Sequence, residues 1–250
     1  MRLVLFQIGD FKVYSYGLMI AIGIIVAATL FIRRARNAGY NEDKLLNLII
    51  VTVISGILGG KFLFILTELN NIINDPSILL NFGNGFVIYG AIMGGALGLY
   101  LYCRKNKFNS LRILDFAAPG VALAQGFGRI GCFLAGCCYG RETTLPIGVT
   151  FPQDSLAPSG VSLLPTQLFS SGFDFILAGI LLWYSRKNSK DGRAFALYVI
   201  IYSIGRFFIE FFRNDPRGNV WILSTSQFIA IFTLILGIVV YNLDKLKKER

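Results

Sequence analysis

The run Gly126-Phe127-Gly128-Arg129-Ile130-Gly131-Cys132-Phe133-Leu134-Ala135-Gly136-Cys137-Cys138-Tyr139-Gly140 places one guanidinium, five glycines and three thiols in a stretch otherwise apolar enough to cross a bilayer. Arginine at membrane depth costs roughly 2.5–3.5 kcal/mol on insertion scales, so it points to a partner or a task. Glycine lets a helix or a ligand approach the backbone closely. Two further segments, Gly60-Lys61-Phe62 and Gly205-Arg206-Phe207, repeat the pattern of a cation directly after a glycine. Each of the three cations is expected about 8–9 Å below the outer end of its apolar segment, at ~1.5 Å rise per residue. Lys61, Arg129 and Arg206 are therefore expected in one layer. Positive charge at that depth calls for an anion, and the nearest abundant one is a phospholipid phosphate.

Other groups at the same level modify this charge. Glu210 follows Arg206 by four residues, on the same helix face, which predicts an ion pair. Asp174, near the middle of its segment, is expected to pair with another cation. Asp115 lies too far along the helix from Arg129 to neutralise it. Lys61 can instead snorkel on its long stem. Tyr16 and Tyr89 open two spans in the outer layer, either beside the cations or as part of an interfacial aromatic belt.

The chain has no histidine, which excludes imidazole catalysis and His-ligated metal sites. Its four cysteines are Cys103, Cys132, Cys137 and Cys138, and Cys103 is expected at the opposite face from the others. A four-thiolate zinc site is thereby excluded, and no metal or cofactor is expected. In a helix continuing through Gly136, Cys132 and Cys137 would be too far apart for a bridge and would act as small apolar filler. A break at Gly136 removes that constraint.

The elements that must carry these groups are membrane helices. Hydrophobic residues make up 54 % of the 250-residue chain, charged residues 15 %, and the mean hydropathy is +0.61. A soluble domain of this length needs more surface charge. The net charge of +10 sits in short clusters beside apolar runs, which argues for membrane topology and against nucleic-acid binding. Seven spans are expected, at 15–32, 45–67, 86–102, 114–134, 165–184, 194–212 and 224–241. Sixteen of the 24 Lys and Arg fall in segments 33–44, 103–112, 185–193 and 243–250. Those are the cytoplasmic segments, with the amino terminus outside.

A single polytopic membrane domain over 1–250 follows, with two long outer loops. Residues 68–85 lack basic residues and suit a short amphipathic segment. Residues 137–164 carry Pro146, Pro152 and Pro158 and are not expected to form a long helix. Gly90, Gly94 and Gly98 form a small-residue stripe at helix spacing, read as a packing face.

At these residues the chain resembles the prolipoprotein diacylglyceryl transferase family nearly end to end. The likeness rests on Tyr16-Gly17-Leu18-Met19, Gly59-Gly60-Lys61, Tyr89-Gly90, Asp115-Phe116, Gly128-Arg129-Ile130-Gly131, Pro165-Thr166-Gln167-Leu168, and Gly205-Arg206-Phe207 leading into Glu210-Phe211-Phe212-Arg213. The resemblance implies an all-α integral membrane protein of seven transmembrane helices with outer-face head and arm loops. It implies transfer of the diacylglyceryl group of phosphatidylglycerol to the lipobox cysteine thiol of a prolipoprotein, beside its signal peptide. It further implies that Arg129 binds phosphatidylglycerol, that Arg206 is essential, and that Tyr16 and Gly140 are functional. Four positions depart from the family pattern: Tyr89 replaces a histidine, Cys132 an asparagine, Cys137 an acidic residue and Lys61 an arginine.

For such a reaction Arg129 and Arg206 would clamp the phosphodiester, with Lys61 and Cys132 on the substrate-binding side. Tyr89 would orient or hydrogen-bond the substrate, or take its proton. Glu210 is a second candidate base, weakened by its pairing with Arg206. The alternatives are a transporter or flippase for an anionic solute or lipid, and a different phosphatidylglycerol-dependent transferase. The expected location is the bacterial cytoplasmic membrane, with the site toward the outer leaflet.

Overall fold

The computed structural model describes residues 4–8, 11–75, 85–187, 190–215 and 218–248. Each expected span matches one helix to within three residues at the ends it overshoots: α1 (Ser15–Asn37), α2 (Glu42–Thr67), α4 (Ile88–Lys105), α5 (Ser110–Ala135), α6 (Thr166–Lys187), α7 (Arg193–Ile209) and α8 (Thr225–Lys248). Five of these, α1, α2, α6, α7 (with the turn after it) and α8, are long and apolar enough to cross a membrane. The other two are less hydropathic for visible reasons. Helix α4 is built on glycine and ends in Arg104 and Lys105; α5 carries Arg112, Asp115, Gln125 and Arg129. Large apolar side chains such as Ile25, Leu58, Phe62, Ile176 and Phe208 are more than half exposed. Helix faces of this kind suit hydrocarbon rather than water.

The short elements lie between the helices. Strands β1 (Val4–Ile8) and β2 (Phe11–Tyr14) form an antiparallel hairpin that the composition did not announce. Helix α3 (Leu69–Asn74) lies in 68–85, the loop expected to suit a short amphipathic segment; residues 76–84 of that loop lie outside the described residues. As expected, 137–164 contains no long helix. It folds around the two-residue strands β3 (Val149–Thr150) and β4 (Ser162–Leu163), with Phe151, Ala157 and Leu163 as a small core. A 3-10 turn (Glu210–Phe212) extends α7, and strands β5 (Asn219–Val220) and β6 (Leu223–Ser224) lead into α8.

The chain packs as two compact units, residues 32–113 and residues 1–31 with 114–250. In the smaller unit, α2 begins at Asn41, whose Oδ1 accepts from the Lys44 N–H at 3.1 Å, and Glu42 and Asp43 suit the positive end of the helix. The α2–α4 contact is backbone against backbone. A Cβ on Gly59 would fall on the Gly90 carbonyl and 2.9 Å from Gly94 Cα; one on Gly98 would strike the Ser55 side chain. The expected packing role of the Gly90, Gly94, Gly98 stripe is what this geometry shows.

In the larger unit α5 is central. Gly23 brings α1 within 3.1 Å of Ala124, counted from an added Cβ, and Ser171 of α6 donates to the Gly126 carbonyl at 3.0 Å. Ala118, Ala122, Leu177, Ala178 and Leu181 form the core between α5 and α6, flanked by Phe195, Tyr198 and Tyr202 of α7. Asp115, buried near the start of α5, accepts from the N–H groups of Gly192 (2.6 Å) and Phe195 (2.8 Å). The carboxylate thus caps α7, whose own N-cap is Gly192 and has no side chain to do so. Ser203 and Thr233 share a 2.8 Å hydrogen bond that links α7 to α8.

Candidate functional site

Arg129 from α5, Ser170, Phe173 and Asp174 from α6, and Tyr202, Gly205, Arg206 and Ile209 from α7 line one small cavity. Its free volume of about 10 Å³ is on the order of a single water. Gly205 is needed for this arrangement, because a Cβ there would collide with the Phe173 ring. Gly128 differs: a Cβ would meet nothing within 4 Å.

The two arginines are held differently. Arg206 Nη1 stands 3.0 Å from Glu210 Oε2, and its Nη2 donates to Ser226 Oγ at 2.8 Å. The expected i,i+4 pair therefore forms, and it survives the change from α-helix to 3-10 turn because Glu210 keeps right-handed helical dihedrals. The Nη1 contact is an ion pair without hydrogen-bond geometry. Arg129 lies within electrostatic reach of Asp174, Tyr202, Cys132 and Cys138. Among the described residues it makes neither a direct ion pair nor a side-chain hydrogen bond. Asp174, only 2 % exposed, acts on both Arg129 and Arg206. It meets two cations where the sequence suggested one.

Beside this cavity runs an apolar groove of about 460 Å³ between α6 and α7. Phe173, Gly205 and Ile209 belong to both. The rest of the groove is Phe169, Ile201, Ile204, Phe208 and Phe212, without a charged side chain.

On the other side of Arg129 the helix breaks. Gly136 adopts φ +76°, and its N–H donates to the Phe133 carbonyl at 3.2 Å while Cys137 N–H donates to the Cys132 carbonyl at 3.1 Å. These two bonds are those of a Schellman C-cap, in which the residue after the glycine folds back over the last turn of the helix. The partners in that fold-back are Cys137 and Cys132. Cys138, with φ +63°, turns again, and the three sulfurs all lie within 4.8 Å of one another. The filler reading of a continuous helix is therefore replaced by a thiol cluster.

Two side chains of α6 fix its loop: Thr166 Oγ1 donates to the Cys138 carbonyl (2.9 Å) and Gln167 Nε2 to the Cys137 carbonyl (2.8 Å). None of the cysteines is in a disulfide. The Cys137 thiol donates to the Cys132 carbonyl at 3.7 Å, and the neighbouring Cys132 and Cys137 thiols with the Arg213 guanidinium hold the Cys138 thiol below the usual range, against the opposing effect of burial.

Arg213 reaches Cys138 because the chain pairs there. Gly140 and Arg213 form an antiparallel bridge, Arg141 N–H donates to the Phe212 carbonyl at 2.9 Å, and Asp215 grips the guanidinium at 3.0 and 3.1 Å. Gly140 has a steric role, since a Cβ would press on the Leu164 carbonyl at 2.7 Å. Tyr16 packs over Gly131, 3.0 Å from where a Cβ would stand, and lies within electrostatic reach of Arg129 and the three cysteines.

Lys61 and Tyr89 belong to the smaller unit. Lys61 Nζ lies 5.9 Å from the Phe64 ring centroid, and Tyr89 is a partly exposed residue of the first turn of α4. Sequence reasoning did not assign Tyr202, Ser226, Arg213 or Cys138. Arg213 had a signal in the block Glu210-Phe211-Phe212-Arg213, and Cys138 in its adjacency to Cys137.

With this geometry in place, comparison with known proteins is informative. The family model described as prolipoprotein diacylglyceryl transferase matches residues 3–243. The chain is 63 % identical over 251 residues to phosphatidylglycerol–prolipoprotein diacylglyceryl transferase 2 of Clostridium perfringens, covering all of this chain and 98 % of the relative. It is 59 % identical to the enzyme of that name, without the number, from Clostridium tetani, over the full length of both. A Dehalococcoides mccartyi protein carrying that same name is 37 % identical over 94 % of this chain and 90 % of its own.

Proposed function

The chain belongs to the prolipoprotein diacylglyceryl transferase family, and on that premise we propose that its reaction runs at the Arg129–Arg206 cavity. The protein is an integral membrane enzyme that transfers the diacylglyceryl group of phosphatidylglycerol to a prolipoprotein, the first step of lipoprotein maturation. The acceptor is the lipobox cysteine thiol beside the signal peptide. Its sulfur forms a bond to the glyceryl carbon, that carbon's bond to the phosphate oxygen breaks, and glycerol phosphate leaves.

One observation carries the assignment of the site. The cavity that holds two guanidinium groups lies against an apolar groove of about 460 Å³, and Phe173, Gly205 and Ile209 line both. A phospholipid has that same division into anionic headgroup and hydrocarbon. Arg129, with no direct ion pair among the described residues, receives the phosphodiester. Arg206, oriented by Glu210 and Ser226, stabilises charge on the departing phosphate, the larger electrostatic contribution in such a displacement. Asp174 keeps the pair of cations balanced until lipid arrives.

The demand on a general base is modest. A free cysteine thiol near pKa 8.5 gives a few per cent thiolate at neutral pH, and adjacent guanidinium raises that fraction. Glu210, in contact with Arg206, is a poor acceptor. The seven helices form a single polytopic domain of the bacterial cytoplasmic membrane. Its amino terminus is outside, its carboxyl terminus cytoplasmic, and its site faces the outer leaflet, a reading that rests on the distribution of Lys and Arg.

The test uses purified full-length protein, labelled phosphatidylglycerol and a prolipoprotein. The expected result is a diacylglyceryl mass increase on the lipobox cysteine. Transfer by the wild type that persists undiminished in Arg129→Ala would remove the clamp from this site.

A further inference from the structure

We propose that Cys132, Cys137 and Cys138 form a three-thiolate site for a thiophilic d10 cation of the Cu(I) or Zn(II) class. It is a function separate from acyl-glyceryl transfer.

The sulfurs already stand within 4.8 Å of one another. Three thiolates around one ion at metal–sulfur distances of about 2.3 Å have sulfur–sulfur separations of about 3.8–4.0 Å, so only rotamer adjustment separates the two arrangements. The backbone is built for convergence rather than arriving at it by chance packing. Gly136 reverses the chain so that Cys137 returns over Cys132, and the left-handed φ of Cys138 turns a third thiol the same way. A left-handed conformation at a residue with a side chain is uncommon and is retained where the surroundings enforce it. Thr166 and Gln167 do so by gripping the carbonyls of Cys138 and Cys137.

Ligand chemistry and charge agree. Thiolate donors select Cu(I) and Zn(II) over the hard cations. A Cys₃ complex carries net charge −2 with a monovalent ion and −1 with a divalent one. Arg213 and Arg129 both lie within electrostatic reach of Cys138 and offset that charge, although Asp215 takes part of the charge of Arg213. Gln167 Oε1, buried and without a hydrogen-bond partner, is an acceptor on the side chain that holds the Cys137 loop. It suits a water completing tetrahedral coordination of Zn(II), whereas Cu(I) is satisfied by three sulfurs. Cys132 is buried while Cys137 and Cys138 remain partly accessible, so an ion has a path of entry.

Full-length protein purified in detergent under reducing, oxygen-free conditions is titrated with Cd(II), a spectroscopic probe for both ions. Competition with Zn(II) and with chelator-buffered Cu(I) then separates them. The expected result is one equivalent bound per chain with a sulfur-to-metal charge-transfer band. Serine at position 132, 137 or 138 should weaken affinity at least 100-fold, while C103S is unchanged because Cys103 lies in the other compact unit. R213A should weaken it about 10-fold. Circular dichroism on each variant establishes that helix content is retained, and G136V, which leaves every sulfur in place, should lose affinity with the serine variants.

Absence of a stoichiometric band in reduced wild-type protein overturns the site. So does a loss of two hydrogens among these cysteines in protein taken directly from cells, which would assign the cluster to a disulfide. Neither outcome bears on lipid transfer, which has its own assay.

Discussion

Helices α2 and α4 hold seven glycines and helices α5 and α7 five, four of them in α5, and the two sets are used differently. In the smaller unit every member of the Gly59, Gly90, Gly94, Gly98 set is pressed against backbone or side chain of the facing helix, and the result is a close contact. In the larger unit Gly205 opens room for the Phe173 ring beneath an arginine, while Gly128 faces open space beside another. The same residue type closes one interface and leaves the other able to admit a ligand. Spacing alone does not distinguish the α5 set, because Gly128 and Gly131 are three apart, as small residues on a packing face are. What separates them is the neighbour: Gly128 and Gly205 each precede a guanidinium.

Substitutions can break or sharpen this contrast. The largest effect is expected for Arg129→Ala, which should lower lipidation by about 10²–10³-fold, the scale of losing one preorganised charge-stabilising donor. Membrane insertion, followed by fractionation, should be unaffected. Arg129→Lys should recover little, because an ammonium lacks the planar fork that binds two phosphate oxygens.

Next is Gly59→Leu, which forces α2 from α4. Overpacking typically costs about 1–3 kcal/mol and occasionally more, and backbone-to-backbone contact places this site at the upper end. Thermal unfolding in detergent should show it, and an unshifted transition would mean the α2–α4 contact is looser than its geometry. Asp115→Ala removes the cap of α7 and should cost about 1–2 kcal/mol, with Asp115→Asn recovering part of it. Gly128→Ala should be the mildest, within about 0.5 kcal/mol of wild type as for surface substitutions, with transfer retained. A severe Gly128 phenotype would show that open space to be needed by substrate.

Much of the framework was legible in the chain because most of these helices announce themselves by apolar length, α4 and α5 being interrupted by glycine and by charge. All seven segments, the glycine face of α4 and the Arg206–Glu210 pair rest on contacts within one helix or on one face of it. What escaped rests on contacts distant in sequence. Asp115 reads from sequence only as a carboxylate too far along its helix to neutralise Arg129, and its role depends on Gly192, 77 positions away. Arg213 meets Cys138 only because residues 139–141 pair with the segment after α7. The cysteine cluster turned on one dihedral: a helix continuing through Gly136 disperses the sulfurs, and a helix ending there gathers them. Glycine permits both, so the outcome is set by Thr166 and Gln167, which lie outside the motif.

The carboxylate of Asp115 also works as a common origin for measuring depth. From Asp115 to Arg129 along α5, and from Gly192 to Arg206 along α7, the chain counts the same fourteen residues, about 21 Å of helix rise in each case. Joined at one end by the Gly192 hydrogen bond, the two helices carry their guanidinium groups to matching height, like two arms of equal length hung from one pivot. Inserting a single residue into either arm would lift and rotate one cation away from its mate while leaving every side chain of the cavity in the sequence.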